Sequence, residues 1–318
     1  MNTILQSTKF VVDHSEFVKI NHDKVFEFAK DFKHENVCHW LSAAPFEFSK
    51  LSDEQKLHFL FLFNALSFSY WGEPKWTIEY HGNQIDGSWG LISAIDRGLS
   101  ENMPLLDFKY CTTISREDFI KLLHGSVEIP LFEERLNFIR QLGTVMCEKY
   151  NGDARELLAE AGGNAQKLVE IILKDFPLFT DESEYKGEKI IFAKRAQLLV
   201  ADIYQMFGGK NFGALKNIDQ ITACADYKLP QILRRVGIFE YTPQLAEKID
   251  NKIELAHDSP EEVEIRANTI WAVVYIKERV EKMSPGIFSF EVNDHLWLAT
   301  QEKIAGEKPY HRTRTTAY

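Results

Sequence analysis

The chain has 318 residues, 45% of them hydrophobic and 13% aromatic, and a net charge of −10 at pH 7. That supply of apolar side chains suits a substantial packed core and excludes a disordered chain. The acidic balance argues against a duplex-binding surface, which needs a basic face, and the hydrophobic runs are too short to span a bilayer.

Helical periodicity dominates from there on. Apolar residues at three- and four-residue spacing predict helices over residues 24–32, 53–71, 90–101, 116–123, 132–150, 153–160, 164–176, 190–207, 230–236, 243–252, 260–282 and 290–303. Ser52-Asp53-Glu54-Gln55 reads as a capping box opening the second of these. Ser259 before Pro260 reads as a cap followed by a first-turn proline. In the fifth, Phe132, Leu136, Ile139, Leu142 and Met146 form one apolar stripe. Residues 75–86 carry the clearest strand signal, β-favouring side chains before Gly82-Asn83 that predict a short hairpin. The glycine-rich stretch 208–213 is the most flexible-looking break. The expected architecture is mainly α, a single helical domain over residues 1–318 with a short β-hairpin, and 208–213 is where two lobes would meet.

Cys38, Cys111, Cys147 and Cys224 lie far apart without a CxxC pair, and the N-terminus has no signal-peptide pattern. Free thiols in a reducing cytoplasm are the expectation. There is no GxGxxG or GxxxxGK[ST] phosphate loop, no HExxH and no GxSxG elbow. The ten histidines have no metal spacing, so neither a metal nor a cofactor is expected.

Four clusters remain. Lys194, Arg195 and Asp202 share one predicted helix, in which Leu198, Leu199, Gln205 and Met206 leave Asp202 without an ionic neighbour at helical spacing. A carboxylate in apolar surroundings is costly unless compensated, which suggests catalysis or a buried link between helices. The rise of a helix puts Lys194 about 12 Å from Asp202, room for a ligand between cation and anion. Asp226, before the helix predicted to start at Pro230, reads as a helix cap or a ligand group, with Tyr227 and Lys228 beside it. Tyr70 and Trp71 end an apolar helix and suit stacking on a planar base or simple core packing. His311 to Arg314 form a basic tail that would ordinarily fray.

Taken in order, LSFSYW (66–71), DGSWGLISAIDRGL (86–99), PLFEERL (130–136), KRAQLLVAD (194–202), ADYKLPQIL (225–233), EVEIRA (262–267) and HRTRT (311–315) resemble the queuosine salvage protein family. Ser88 stands where that family carries Tyr, Lys228 where it carries Arg, and the tail ends Thr-Ala-Tyr318 rather than in two tyrosines. The resemblance implies a fold like that of the helix-hairpin-helix DNA glycosylases. It also implies hydrolysis of the N-glycosidic bond of queuosine 5'-monophosphate, releasing queuine for salvage into tRNA modification. On this reading Asp202 is the catalytic carboxylate, while Lys194, His311 and Arg314 meet the phosphate. Tyr70, Trp71, Ser88, Asp226 and Tyr227 line or bind the base. The partner is then a small nucleotide, with no direct nucleic acid or membrane contact. The rival readings are a nucleic-acid base glycosylase or binding module on a similar fold, and a helical scaffold without catalysis.

Overall fold

The computed structural model describes residues 2–302 and 304–318. Its helices and strands run in the order α1 (Thr3–Asp13), β1 (Val18–Ile20), α2 (His22–Asp31), α3 (Asp53–Leu66), β2 (Thr77–Tyr80), β3 (Asn83–Asp86), α4 (Gly87–Ser100), α5 (Phe108–Thr113), α6 (Arg116–Leu123), α7 (Phe132–Tyr150), α8 (Ala154–Ala161) and α9 (Ala165–Asp175). They continue through β4 (Glu182–Tyr185), β5 (Glu188–Ile191), α10 (Lys194–Met206), α11 (Lys228–Arg235), β6 (Phe239–Tyr241), α12 (Pro243–Asp250), α13 (Pro260–Glu281) and α14 (Ser289–Ala299). The chain is mainly helical, as its periodicity requires, with three two-stranded antiparallel sheets among the described residues. No described helix is long and apolar enough to cross a membrane.

Two cores organise the molecule. The larger surrounds α3, whose Phe59, Leu60, Phe61, Leu62 and Phe63 are all fully buried, and includes α4 to α10. A helix apolar on every side belongs at a centre. The smaller packs α2, α11, the β1–β6 pair and α14 on the middle of α13. A third cluster seats α1 and the β4–β5 hairpin on the start of α13.

α6 and α7 have the expected ends, and the capping box of α3 forms, with Ser52 Oγ accepting from Gln55 N at 3.2 Å and Gln55 Oε1 from Ser52 N at 2.9 Å. The predicted hairpin forms with Ile78 opposite Ile85, and its His81-Gly82 turn has positive φ at both residues, the geometry that matches strand twist. Other boundaries differ. α3 stops at Leu66 instead of residue 71 because two buried guanidiniums take its last carbonyls. Arg195 Nη1 donates to Ala65 O at 3.0 Å and Arg135 Nε to Leu66 O at 3.2 Å, and both charges complement the helix C-terminus. Arg195 is therefore a structural cap. α10 starts at Lys194 because residues 188–191 pair as a strand and Ala193 turns into the left-handed region. α11 opens at Lys228, two residues before the expected Pro230. α1, α5 and the β4–β5 hairpin were not anticipated, and the expected end of the last helix at Lys303 lies outside the described residues. The tail does not fray: Tyr318 is 2% exposed, Ser69 N donates to Tyr318 O at 2.8 Å and Leu255 N to Arg312 O at 2.7 Å.

Candidate active site

Where the two cores meet, the extended segment after α3, the start of α4, the start of α10, the turn before α11, the end of α14 and the tail line a cleft. A second, inner cavity adjoins it, and Ser67, Ser88, Lys194, Asp226 and Trp297 line both. The residues common to the two spaces mark the junction where a two-part ligand would cross.

Lys194 is 7% exposed, and its backbone N–H is held at 2.9 Å by Asp181 Oδ2. Asp181 in turn receives both Arg266 Nη1 and Nη2, at 2.8 and 2.7 Å. The Lys194 ammonium makes no salt bridge among the described residues, an unusual state for a buried cation. Asp226 answers the choice between cap and ligand with one oxygen for each. Its Oδ1 accepts from Lys228 N at 2.7 Å and Leu229 N at 3.0 Å, capping α11, while the carboxylate lines both cavities and no protein donor reaches Oδ2 among the described residues. Burial raises its pKa above the ordinary carboxylate value, opposed by the Lys194 charge and the two backbone donors.

Aromatic side chains wall the outer cleft. Trp71 is clamped by Arg314, whose guanidinium lies 3.5 Å from the ring centre and whose Nη1 donates to Trp71 O at 3.0 Å. Tyr227 packs against Tyr310, with ring centres 4.8 Å apart and planes tilted by 41°. The Tyr70 hydroxyl and the Trp89 indole N–H are buried and without a hydrogen-bond partner among the described residues, and both residues line the cleft. Burial pushes the Tyr70 hydroxyl up to about 12, so it remains a neutral donor.

Three expected site residues lie elsewhere. Asp202 is fully buried and lines neither cavity. Its Oδ1 accepts from Trp40 Nε1 at 2.8 Å and faces His39 Nε2 at 3.2 Å, and its Oδ2 accepts from Asn64 Nδ2 at 3.1 Å. Both oxygens are thus engaged by protein donors that link α10 to α3 and to the segment before it. His311 is 1% exposed beside Tyr318, and burial, reinforced by the Arg266 charge, holds its pKa down to about 3. It is a neutral ring in the core that lines neither cavity. Arg314 buttresses Trp71 from behind without lining the cleft. Tyr70, Trp71, Ser88, Lys194, Asp226 and Tyr227 do converge.

Sequence reasoning missed Lys75, Tyr310 and Tyr318 in the outer cleft and Trp40, Asn293, Asp294 and Trp297 around the inner one. Asp294 carried the same signal as Asp202, an acid between Val292 and Leu296 in an apolar helix, and could have been found by it. It is 1% exposed, and burial, reinforced by the Asp202 charge, pushes its carboxyl up to about 7. His257, Asp258 and Glu262 bring potential metal-ligand atoms within 4.8 Å of one another, a grouping the histidine spacing did not suggest, but none of them lines either cavity.

The raised Asp294 value makes a stability prediction. A carboxyl whose folded pKa lies above its unfolded value of 3.8 favours the fold while protonated, and this contribution declines as pH rises through about 7. Asp294→Asn removes the penalty of the buried charge. Its unfolding free energy relative to the unsubstituted protein should therefore improve by on the order of 2 kcal/mol between pH 5 and pH 8, read by urea titration. A pH-independent difference would show that Asp294 titrates normally.

A profile of the queuosine salvage protein family matches residues 48–318. The queuosine 5'-phosphate N-glycosylase/hydrolase of Sphaerobacter thermophilus is 37% identical, the match covering 99% of this chain and 97% of that protein. The mouse protein of the same name is 34% identical over 98% of both chains, and that of Schizosaccharomyces pombe is 31% identical over 97% of this chain and 94% of its own.

Proposed function

The chain belongs to the queuosine salvage protein family, and we propose that it hydrolyses the N-glycosidic bond of queuosine 5'-phosphate, releasing the base and ribose 5-phosphate. The observation that carries this reading is the junction of the two cavities. There an unpaired buried cation, Lys194, faces the same space as Asp226, a carboxylate with one oxygen fixed by a helix cap. The base enters the inner cavity, whose Trp40, Phe63 and Trp297 rings suit a planar heterocycle. The ribose crosses at Asp226, and the phosphate turns outward to Lys194 and the hydroxyls of Ser67, Tyr70 and Ser88.

The base is a 7-deazaguanine, so the ring nitrogen that a guanine could protonate is a carbon. The burden then falls on stabilising an oxocarbenium-like sugar and directing a water at the anomeric carbon. A carboxylate with a free oxygen does both. This moves the reacting role from Asp202 to Asp226. Trp71 and Tyr227 form the wall that keeps bulk water from the sugar.

Incubation with queuosine, its 5'-phosphate and a queuosine-containing tRNA fragment tests the reading. Base should be released from the 5'-phosphate, and release from the tRNA fragment alone would favour a nucleic-acid glycosylase. Lys194→Met should reduce the advantage of the 5'-phosphate over the nucleoside by about 10–100-fold in kcat/KM, the equivalent of one charge-assisted hydrogen bond of about 1.5–3 kcal/mol. Equal losses on the two substrates would assign Lys194 to the fold or to the sugar instead.

A further inference from the structure

The inner cavity contains a second carboxyl besides Asp226, and the mechanism above leaves it without a task. Asp294 projects from α14 into this space. Its Oδ2 is fixed by Trp40 N at 3.2 Å and Gln205 Nε2 at 3.1 Å. Among the described residues its Oδ1 meets only the amide of its neighbour Asn293, at a long 3.3 Å. Asn293 is itself oriented by accepting Cys224 N–H on its Oδ1 at 2.9 Å, so its amide nitrogen faces the carboxyl. One oxygen is therefore held by two donors and the other by a single long contact, in a residue that lines the cavity. The walls around it are Trp40, Phe63 and Trp297, with Trp40 5.5 Å from Phe63 and 5.2 Å from Trp297 between ring centres.

We infer that Asp294 is the general acid of the reaction, giving its carboxyl proton to the departing base. The inference rests on the nucleotide-glycosylase reading of the cleft. The C1'–N bond breaks with its electron pair remaining on the base, and the Asp294 proton neutralises the charge that develops on a ring nitrogen or carbonyl oxygen. A water oxygen bonds to C1' and its proton passes to Asp226. Exchange with solvent then removes a proton from Asp226 and restores one to Asp294. No other reactant is required.

The surroundings supply the proton at neutral pH. Asp294 is faced by Asp202 from α10, by His39 from the segment before Trp40, by Cys224 from the turn before α11, and across the cavity by Lys194 and Asp226. Burial and the Asp202 charge favour the neutral carboxyl, while His39 and the two N–H donors oppose them, which leaves it near 7. An acid of that strength is both populated and able to donate. Asp202, whose two oxygens are engaged by Trp40, His39 and Asn64, acts on Asp294 through its charge as a positioning residue. That accounts for a buried carboxylate that lines no cavity.

The test pairs two nucleotides that differ in how much help the base needs to leave, 7-deazaguanosine 5'-phosphate and its 7-cyano derivative, whose electron-withdrawing group stabilises the departing base. Asp294→Asn should slow release from the first by on the order of 10²–10⁴-fold and from the cyano compound by less than about tenfold. It should also abolish the fall of kcat/KM above pH ~7. Asp226→Asn should slow both nucleotides alike. Asp202→Asn should move the basic limb to lower pH while leaving it present. Equal slowing of the two nucleotides by Asp294→Asn, or a basic limb that persists in that variant or stays in place in Asp202→Asn, overturns the assignment. If Asp226→Asn also leaves release from both nucleotides intact, the glycosylase reading of the cleft itself fails.

Discussion

Asp226→Asn should lower turnover of queuosine 5'-phosphate by on the order of 10²–10⁴-fold, the usual worth of a positioned carboxylate. The substitution keeps the side-chain oxygen that caps α11 through Lys228 N and Leu229 N, so the fold and the walls of the cleft should survive. Single-turnover kinetics and a melting curve on the same sample separate the two effects. Asp202→Asn is the informative comparison, since helical periodicity alone pointed to that residue. Its oxygens hold Trp40, His39 and Asn64, away from both cavities. At pH 6 its loss of turnover should fall well short of that of Asp226→Asn. A larger loss from Asp202→Asn would return the reacting role to α10.

The second large effect concerns Arg266. This fully buried guanidinium holds Asp181 through two hydrogen bonds, donates to Ala225 O at 3.3 Å, and lies 3.9 Å from the Phe192 ring centre and 4.4 Å from that of Tyr318. Asp181 also carries the backbone of Lys194. One cation thus ties α13 to both ends of the Lys194–Asp226 pair and to the tail. Arg266→Met leaves the Asp181 carboxylate buried and uncompensated, which costs about 3–5 kcal/mol. For a chain of this size the melting temperature should fall by on the order of 5 °C. Turnover should drop further than the unfolded fraction explains, because Lys194 and Asp226 lose their common support. A variant that melts with the unsubstituted protein would mean that Asp181 is solvated or neutral in the fold.

The elements most legible beforehand were those whose signals are local. The α7 stripe, the capping box of α3 and the β2–β3 hairpin depend on residues within a few positions of one another, and the structure contains each of them. The errors occurred where distant residues intervene. Nothing near Leu66 announces the end of α3, because the guanidiniums that take its carbonyls come from Arg135 and Arg195. A tail whose own residues bury little would ordinarily fray, yet backbone pairing with Ser69 and Leu255 fixes it.

What the sequence by itself determined was the mainly helical class, the family-specific words and six of the residues that line the cleft: Tyr70, Trp71, Ser88, Lys194, Asp226 and Tyr227. What only the tertiary structure decided was which acids line the cavities. Residues 194–203 of α10 are buried on every side, so helical spacing could establish that Asp202 is enclosed but not which neighbour its carboxylate addresses. Asp294 lies on another buried helix, 92 residues away in sequence, and opens into the inner cavity instead. Periodicity reports burial, which is a property of one helix. The direction of a buried polar group is settled by the donors that the other helices bring to it.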